Sequence, residues 1–226
     1  MKRIGLLSMA LAAMLTVACG GGRDDRNNPN NDNAAVGTAG EGAGAATADR
    51  TADRNNSVSN RSQDWVKEQL MGGMAEVKLG ELASTKARNA DVKAFGRMMV
   101  QDHTKAGDEL KQIASQQNVQ PPTALDDEHR DHMDKLSKLT GAEFDREYMN
   151  MMVDDHQEDL GKLEDRLDKK GDDENPTYTA KQTDDQFDQK LNQWAAKTAP
   201  VVHKHLERAK QINDTLKRRT TDNDRD

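Results

Sequence analysis

The stretch VKAFGRMMVQDHTKAGDELKQIASQQ, residues 92–117, decides the fold. Its inward set Val92, Gly96, Met99, His103, Ala106, Leu110, Ile113 and Gln117 steps alternately by four and three residues. That spacing places one stripe along one face of a helix and is the seam of near-parallel packed helices. A histidine stands in the middle of a stripe that is otherwise apolar or small up to its last residue, Gln117.

Working outward, a second phrase repeats the first. Phe95-x-x-Met98-Met99-Val100-Gln101-Asp102-His103 is echoed by Tyr148-x-x-Met151-Met152-Val153-Asp154-Asp155-His156, and each His is followed seven residues later by Leu110 or Leu163. The echo reads as a duplicated helix or a shared local task. A third stripe, Phe187, Leu191, Trp194, Thr198, Val201, His205, Ala209, Ile212 and Leu216, again carries a histidine near its middle. The remaining long helix offers a small-residue face, Gly73, Glu76, Gly80, Ala83 and Ala87.

These periods predict long helices over about 63–87, 92–117, 142–170 and 184–217, with a short helix over about 126–139 after the helix-blocking Pro121-Pro122 pair. Residues 171–183 read as a loop around Pro176, and Pro200 should kink or split the last helix at Ala199. No convincing strand alternation is visible. The expectation is an all-α, antiparallel four-helix bundle with the short extra helix between the second and third long helices.

Composition agrees. The chain carries 33 Lys and Arg against 40 Asp and Glu, a net charge of −7, with aromatics at only 3 %. An acidic chain with so few stacking residues is a poor partner for nucleic acid. A single cysteine excludes disulfide scaffolds and Cys-based zinc sites.

That cysteine has its own reading. Lys2 and Arg3 precede an apolar run, Ile4 to Val17, that is shorter than the roughly 20 residues a membrane span needs. The run ends Val17-Ala18-Cys19-Gly20, which resembles a bacterial lipoprotein signal. The expected organisation is a signal peptide over 1–18, a lipidated Cys19 with a disordered tether over 19–61, the bundle over 62–218 and a disordered tail over 219–226. Lipidation would make a membrane the partner, and Gly20 in place of Asp after the cysteine favours the outer membrane, facing the periplasm. Residues 20–61 hold only Val36 and Val58 as large apolar side chains, too few to offset chain entropy.

The chemistry-bearing residues fall at one height. Glu76, His103, His156 and His205 lie near the midpoints of their helices, and in an antiparallel bundle midpoints meet. Buried polar groups left without partners cost about 1–3 kcal/mol each. The four must therefore satisfy one another, bind water or bind a metal. Imidazole suits Zn, Cu and Fe, and a carboxylate completes a four-ligand set. Asp102 and Asp155 sit on the flanks, placed to accept hydrogen bonds from neighbouring imidazoles. Met99 and Met152, on the same faces as the two histidines, are either soft ligands or core fillers. The competing reading is a metal-free hydrogen-bonded layer that fixes helix register in a structural or stress-related protein. No nucleophile-and-base set and no phosphate-binding loop accompany the site.

Gly72-Gly73-Met74-Ala75-Glu76-Val77-x-Leu79-Gly80, Met99-Val100-x-Asp102-His103-Thr104, Met152-Val153-x-Asp155-His156 and Pro200-x-Val202-x-x-His205-Leu206 resemble an uncharacterised bacterial domain family. Its members are exported, often described as predicted outer membrane proteins, and ferritin-like in fold. The resemblance implies fold and export and brings no activity. It lacks the Glu-x-x-His pairs of di-iron bundles, since Val100, Val153 and Val202 stand three residues before the histidines.

Overall fold

The computed structural model describes the backbone over residues 43–223 and side chains over residues 60–218. Its elements are α1 (Ala43–Lys86), α2 (Ala90–Ser115), α3 (Asp127–Lys138), α4 (Gly141–Glu164), β1 (Leu167–Lys170), β2 (Thr177–Ala180) and α5 (Gln186–Asn223). Among the described residues no helix is long and apolar enough to cross a membrane.

The long helices α1, α2, α4 and α5 pack as a helical bundle, and each neighbouring pair runs antiparallel. Gly80 of α1 lies against Gly96 of α2, and Glu76 against His103. Trp194 of α5 donates its indole N–H to the Ala106 carbonyl of α2 at 3.1 Å, while Arg208 meets Asp91 at 3.2 Å. Asn213 and Asn150 pair α5 with α4, and Lys162 of α4 reaches Glu68 of α1 at 2.8 Å. The helices α2 and α4 are therefore diagonal, and the echoed residues meet across the axis. Phe95 and Tyr148 stand 6.3 Å apart edge to face, and His103 and His156 stand 5.5 Å apart.

Local chemistry sets the ends. Asn89 caps α2 by accepting from Asp91 N at 2.7 Å, and Asp126 caps α3 by accepting from His129 N at 3.0 Å. The α1–α2 turn is held from a distance. Buried Asp145 of α4 accepts from Arg88 N at 2.9 Å and Asn89 N at 2.8 Å. Asp145→Ala removes the acceptor and leaves two backbone donors half-buried. Urea denaturation is expected to show a loss of about 2 kcal/mol.

The core comes in two parts. One cluster gathers Val66, Leu70, Leu110, Leu163, Leu191 and Trp194, and the other gathers Leu79, Phe95, Met99, Phe144, Tyr148 and Met152. On α1, α2 and α4 the dividing residues are Glu76, His103 and His156, and on α5 His205 lies at the boundary. The polar layer is thus sandwiched between two dry clusters.

Five expectations need correction. The first helix starts at Ala43 and not near Gln63, so the disordered tether assigned to 19–61 does not extend over 43–61. A helix rich in Ala needs no core to be locally favourable, and 43–52 contains Ala43, Ala45, Ala46, Ala48 and Ala52. Residues 19–42, with Cys19, lie outside the described residues, as does the signal segment. The third long helix ends at Glu164 and not Lys170, because 167–170 pairs antiparallel with 177–180, Leu167 opposite Ala180. This hairpin replaces the expected loop, and Gly171 makes its turn possible. Its φ is +92°, and a Cβ there would stand 2.6 Å from the Asn175 carbonyl oxygen. The last helix neither splits at Pro200 nor ends at 217. Buried Ala195, Ala199, Val202 and Leu206 lie on both sides of the proline and hold one continuous element across the missing hydrogen bond. The tail expected to be disordered from 219 is helical to Asn223, and 224–226 lie outside the described residues.

Candidate metal centre

Helix periodicity delivers each group of the layer to the axis. Glu76 is 3 % exposed, His103 9 %, His156 0 % and His205 2 %. The three imidazoles converge, each offering a ring nitrogen within 4.8 Å of the others. Their ring centroids are 5.3–5.5 Å apart, and Phe95 packs edge-on against His156 and His205.

Hydrogen bonds set the tautomers. His156 Nδ1 lies 2.9 Å from the Met152 carbonyl, which can only accept, so Nδ1 carries the proton and Nε2 keeps its lone pair. His205 Nε2 lies 2.9 Å from Asp102 Oδ2, so Nε2 carries the proton and Nδ1 is the free nitrogen. Glu76 Oε2 approaches His103 Nδ1 to 2.5 Å, and Oε1 stands 3.3 Å from His156 Nδ1. Neither oxygen has hydrogen-bond geometry to a partner, yet a carboxylate beside Nδ1 favours the proton there. His103 Nε2, His156 Nε2 and His205 Nδ1 are all buried without a hydrogen bond.

Burial also sets the charge. Desolvation lowers the pKa of each imidazole to about 4, so all three are neutral at pH 7. The same burial raises Glu76, against the opposing pull of His156. It raises Asp155 to about 8 and Asp159 to about 7, in both cases reinforced by the charge of Glu76.

A pH dependence follows for the metal-free protein. Imidazoles with depressed pKa values contribute stability above pH 6.5 that is lost as pH falls towards 4. Raised carboxylates contribute stability at low pH that is lost as pH rises through 7 and 8. The two sets oppose each other between about pH 4 and 6.5. Above 6.5 the imidazoles are neutral when folded and mostly neutral when unfolded, so the carboxylates dominate. With chelator present, the melting temperature is expected to fall from pH 6.5 to 8, and Asp155→Asn should flatten that fall.

The sequence-predicted residues are thus partly reunited. Asp102 accepts from the His205 imidazole of the neighbouring helix. Asp155 instead lines a cavity of about 430 Å³ between α1, α3 and α4, together with Glu76, His129, His132 and Asp159. Met99 and Met152 are fully buried in the apolar cluster with Phe95 and Tyr148. His203, two residues before His205, is half-buried with its ring 6.5 Å from Tyr178 of the hairpin. Asp159 was missed. Its signal was present: Asp155, Asp159 and Lys162 recur at steps of four and three along one flank of α4. A second cavity, about 120 Å³, opens on the α2–α5 side beside Asp102, His103 and His205.

Residues 47–189 match a family described as a domain of unknown function, DUF4142. No curated protein and no solved structure matches the chain.

Proposed function

The chain belongs to the DUF4142 family, and from that premise, with no activity to inherit, we propose that it binds a transition-metal ion in the core of its bundle. His103, His156 and His205 are the ligands in this reading. Glu76 and Asp102 hold the rings, each on the edge away from the free nitrogen. The observation that carries the reading is the set of three buried, neutral imidazoles, each with one nitrogen free of hydrogen bonds and all within reach of one another. A metal-free layer would leave those nitrogens orphaned at about 1–3 kcal/mol apiece.

Around a tetrahedral zinc ion, ligand nitrogens stand about 3.4 Å apart, given bond lengths near 2.0–2.1 Å. The rings would therefore draw slightly together on binding, and a fourth position would stay open to water or a small ligand. Zn, Cu and Fe all suit imidazole. The bundle is ferritin-like in this reading, and the protein is an exported lipoprotein held by lipidated Cys19 on the outer membrane, facing the periplasm.

Protein made without a His tag, stripped with chelator and offered Zn²⁺, Cu²⁺ or Fe²⁺ in turn, tests the reading. Elemental analysis is expected to find one ion per chain. At a free concentration 100 times Kd the ion should stabilise the fold by about 2.7 kcal/mol. No retained ion and no shift in melting temperature for any of the three would overturn it.

A further inference from the structure

We propose that the acidic cavity between α1, α3 and α4 is the entrance by which a hydrated divalent cation reaches the imidazole centre, with Asp155 and Asp159 receiving it first. This rests on the metal-binding reading above and assigns its route.

Charge is the first support. The cavity, about 430 Å³, is wide enough for an ion with its water shell. Its lysines and His129 are already engaged. Lys162 lies 2.8 Å from both Glu68 and Glu158, and Lys67 pairs with Asp64 at 3.0 Å. His129 is held by Asp126 at 2.6 Å. Asp155 and Asp159 line this cavity beside Glu76 and make no ion pair among the described residues, so their oxygens are open to a cation.

Glu76 is the second, independent support. It lines this cavity, it is 3 % exposed, and neither of its carboxylate oxygens has a hydrogen-bond partner. The same carboxylate stands 2.5 Å from His103 and 3.3 Å from His156. Among the described residues it is the buried carboxylate that both lines the acidic chamber and stands beside the imidazoles. Chemically, it can take a cation that has shed water and pass it to neutral nitrogen ligands, which hold transition metals more firmly than carboxylate does.

The opposite mouth fits a cation less well. It is smaller, about 120 Å³, its Glu109 is already paired with Lys197 at 2.7 Å and its Asp102 with His205 at 2.9 Å, and Lys105 stands at it as well. A cleft of one sign raises local counter-ion concentration and association rates by about 10–10³. Among the described residues, the α1–α3–α4 side carries the excess of carboxylates that such a cleft needs.

Stopped-flow loading of the metal-free full-length chain with Co²⁺, followed by the visible absorption of imidazole-bound cobalt, tests the route. Asp155→Asn with Asp159→Asn is expected to load at least tenfold more slowly and to lose the salt dependence of the wild-type rate, while equilibrium occupancy is unchanged. Asp155→Asn alone should show a smaller slowing. Val201→Trp, which narrows the opposite mouth, should load at the wild-type rate. Wild-type loading in the double variant, or slowed loading in Val201→Trp, would sink the route while leaving the metal centre intact. A wild-type protein that takes up no Co²⁺, Zn²⁺, Cu²⁺ or Fe²⁺ would sink the centre itself.

Discussion

His103→Ala combined with His156→Ala is expected to abolish metal retention, from one ion per chain to none measurable, in protein purified without a His tag. Two of the three converging nitrogens disappear, and the single buried imidazole of His205 with its nearby carboxylates is too small a donor set to retain the ion. The fold should survive. Both rings carry a buried nitrogen with no hydrogen bond, so their removal takes away orphaned polar groups as well as volume. Far-ultraviolet circular dichroism should show unchanged helicity. Asp102→Ala provides the graded companion. It removes only the acceptor that sets the His205 tautomer, and such outer partners are worth about 10–100-fold in metal affinity. If the double variant retained its ion, the centre would lie elsewhere. Equal losses in Asp102→Ala and the double variant would contradict the division into ligands and holders.

Gly96→Leu is expected to lose about 3 kcal/mol, the upper part of the range for overpacking a close helix contact. A Cβ at Gly96 would stand 2.7 Å from the Gly80 carbonyl oxygen, 2.9 Å from Ser84 N and 3.0 Å from Ala83 Cβ. The first two are backbone atoms and cannot turn aside, so α1 and α2 must part. Parting them also draws Glu76 away from His103, so metal affinity should fall together with stability. Gly161 is the control. Nothing lies within 4 Å of a Cβ there, and Gly161→Ala should stabilise α4 by roughly 0.5–1 kcal/mol through helix propensity. Chemical denaturation of the two variants, read by the same probe, checks both signs.

The glycines show how far sequence reading reaches. Gly73, Gly80, Ala83 and Ala87 were legible as a small-residue face, and Gly96 as part of the facing stripe. That Gly80 and Gly96 touch, while Gly73 meets nothing within 4 Å, depends on where two helices cross. The centre shows the same division. Midpoint position and the four-and-three step were enough to bring three imidazoles together. They could not show that Asp102 takes up a neighbouring imidazole while the equivalent Asp155 lines an acidic chamber. Those two residues occupy matching places in an echoed phrase, but α2 neighbours α5 at that height, and the flank of α4 carrying Asp155 faces the cover supplied by α3. The hairpin was hidden for a local reason. Leu167 continues the apolar step of α4, so nothing before Gly171 marks the end of the helix.

By itself, the sequence determined the helical class, the lengths of α2 and α3, and the residues of the polar layer. Helix period and capping are properties of near neighbours along the chain. Only the tertiary structure decided which ring nitrogen stays free, which carboxylate stands beside it, and which side of the bundle is open to a cation. Those depend on distances between helices far apart in sequence, where an offset of a few ångströms separates a hydrogen bond from an orphaned lone pair.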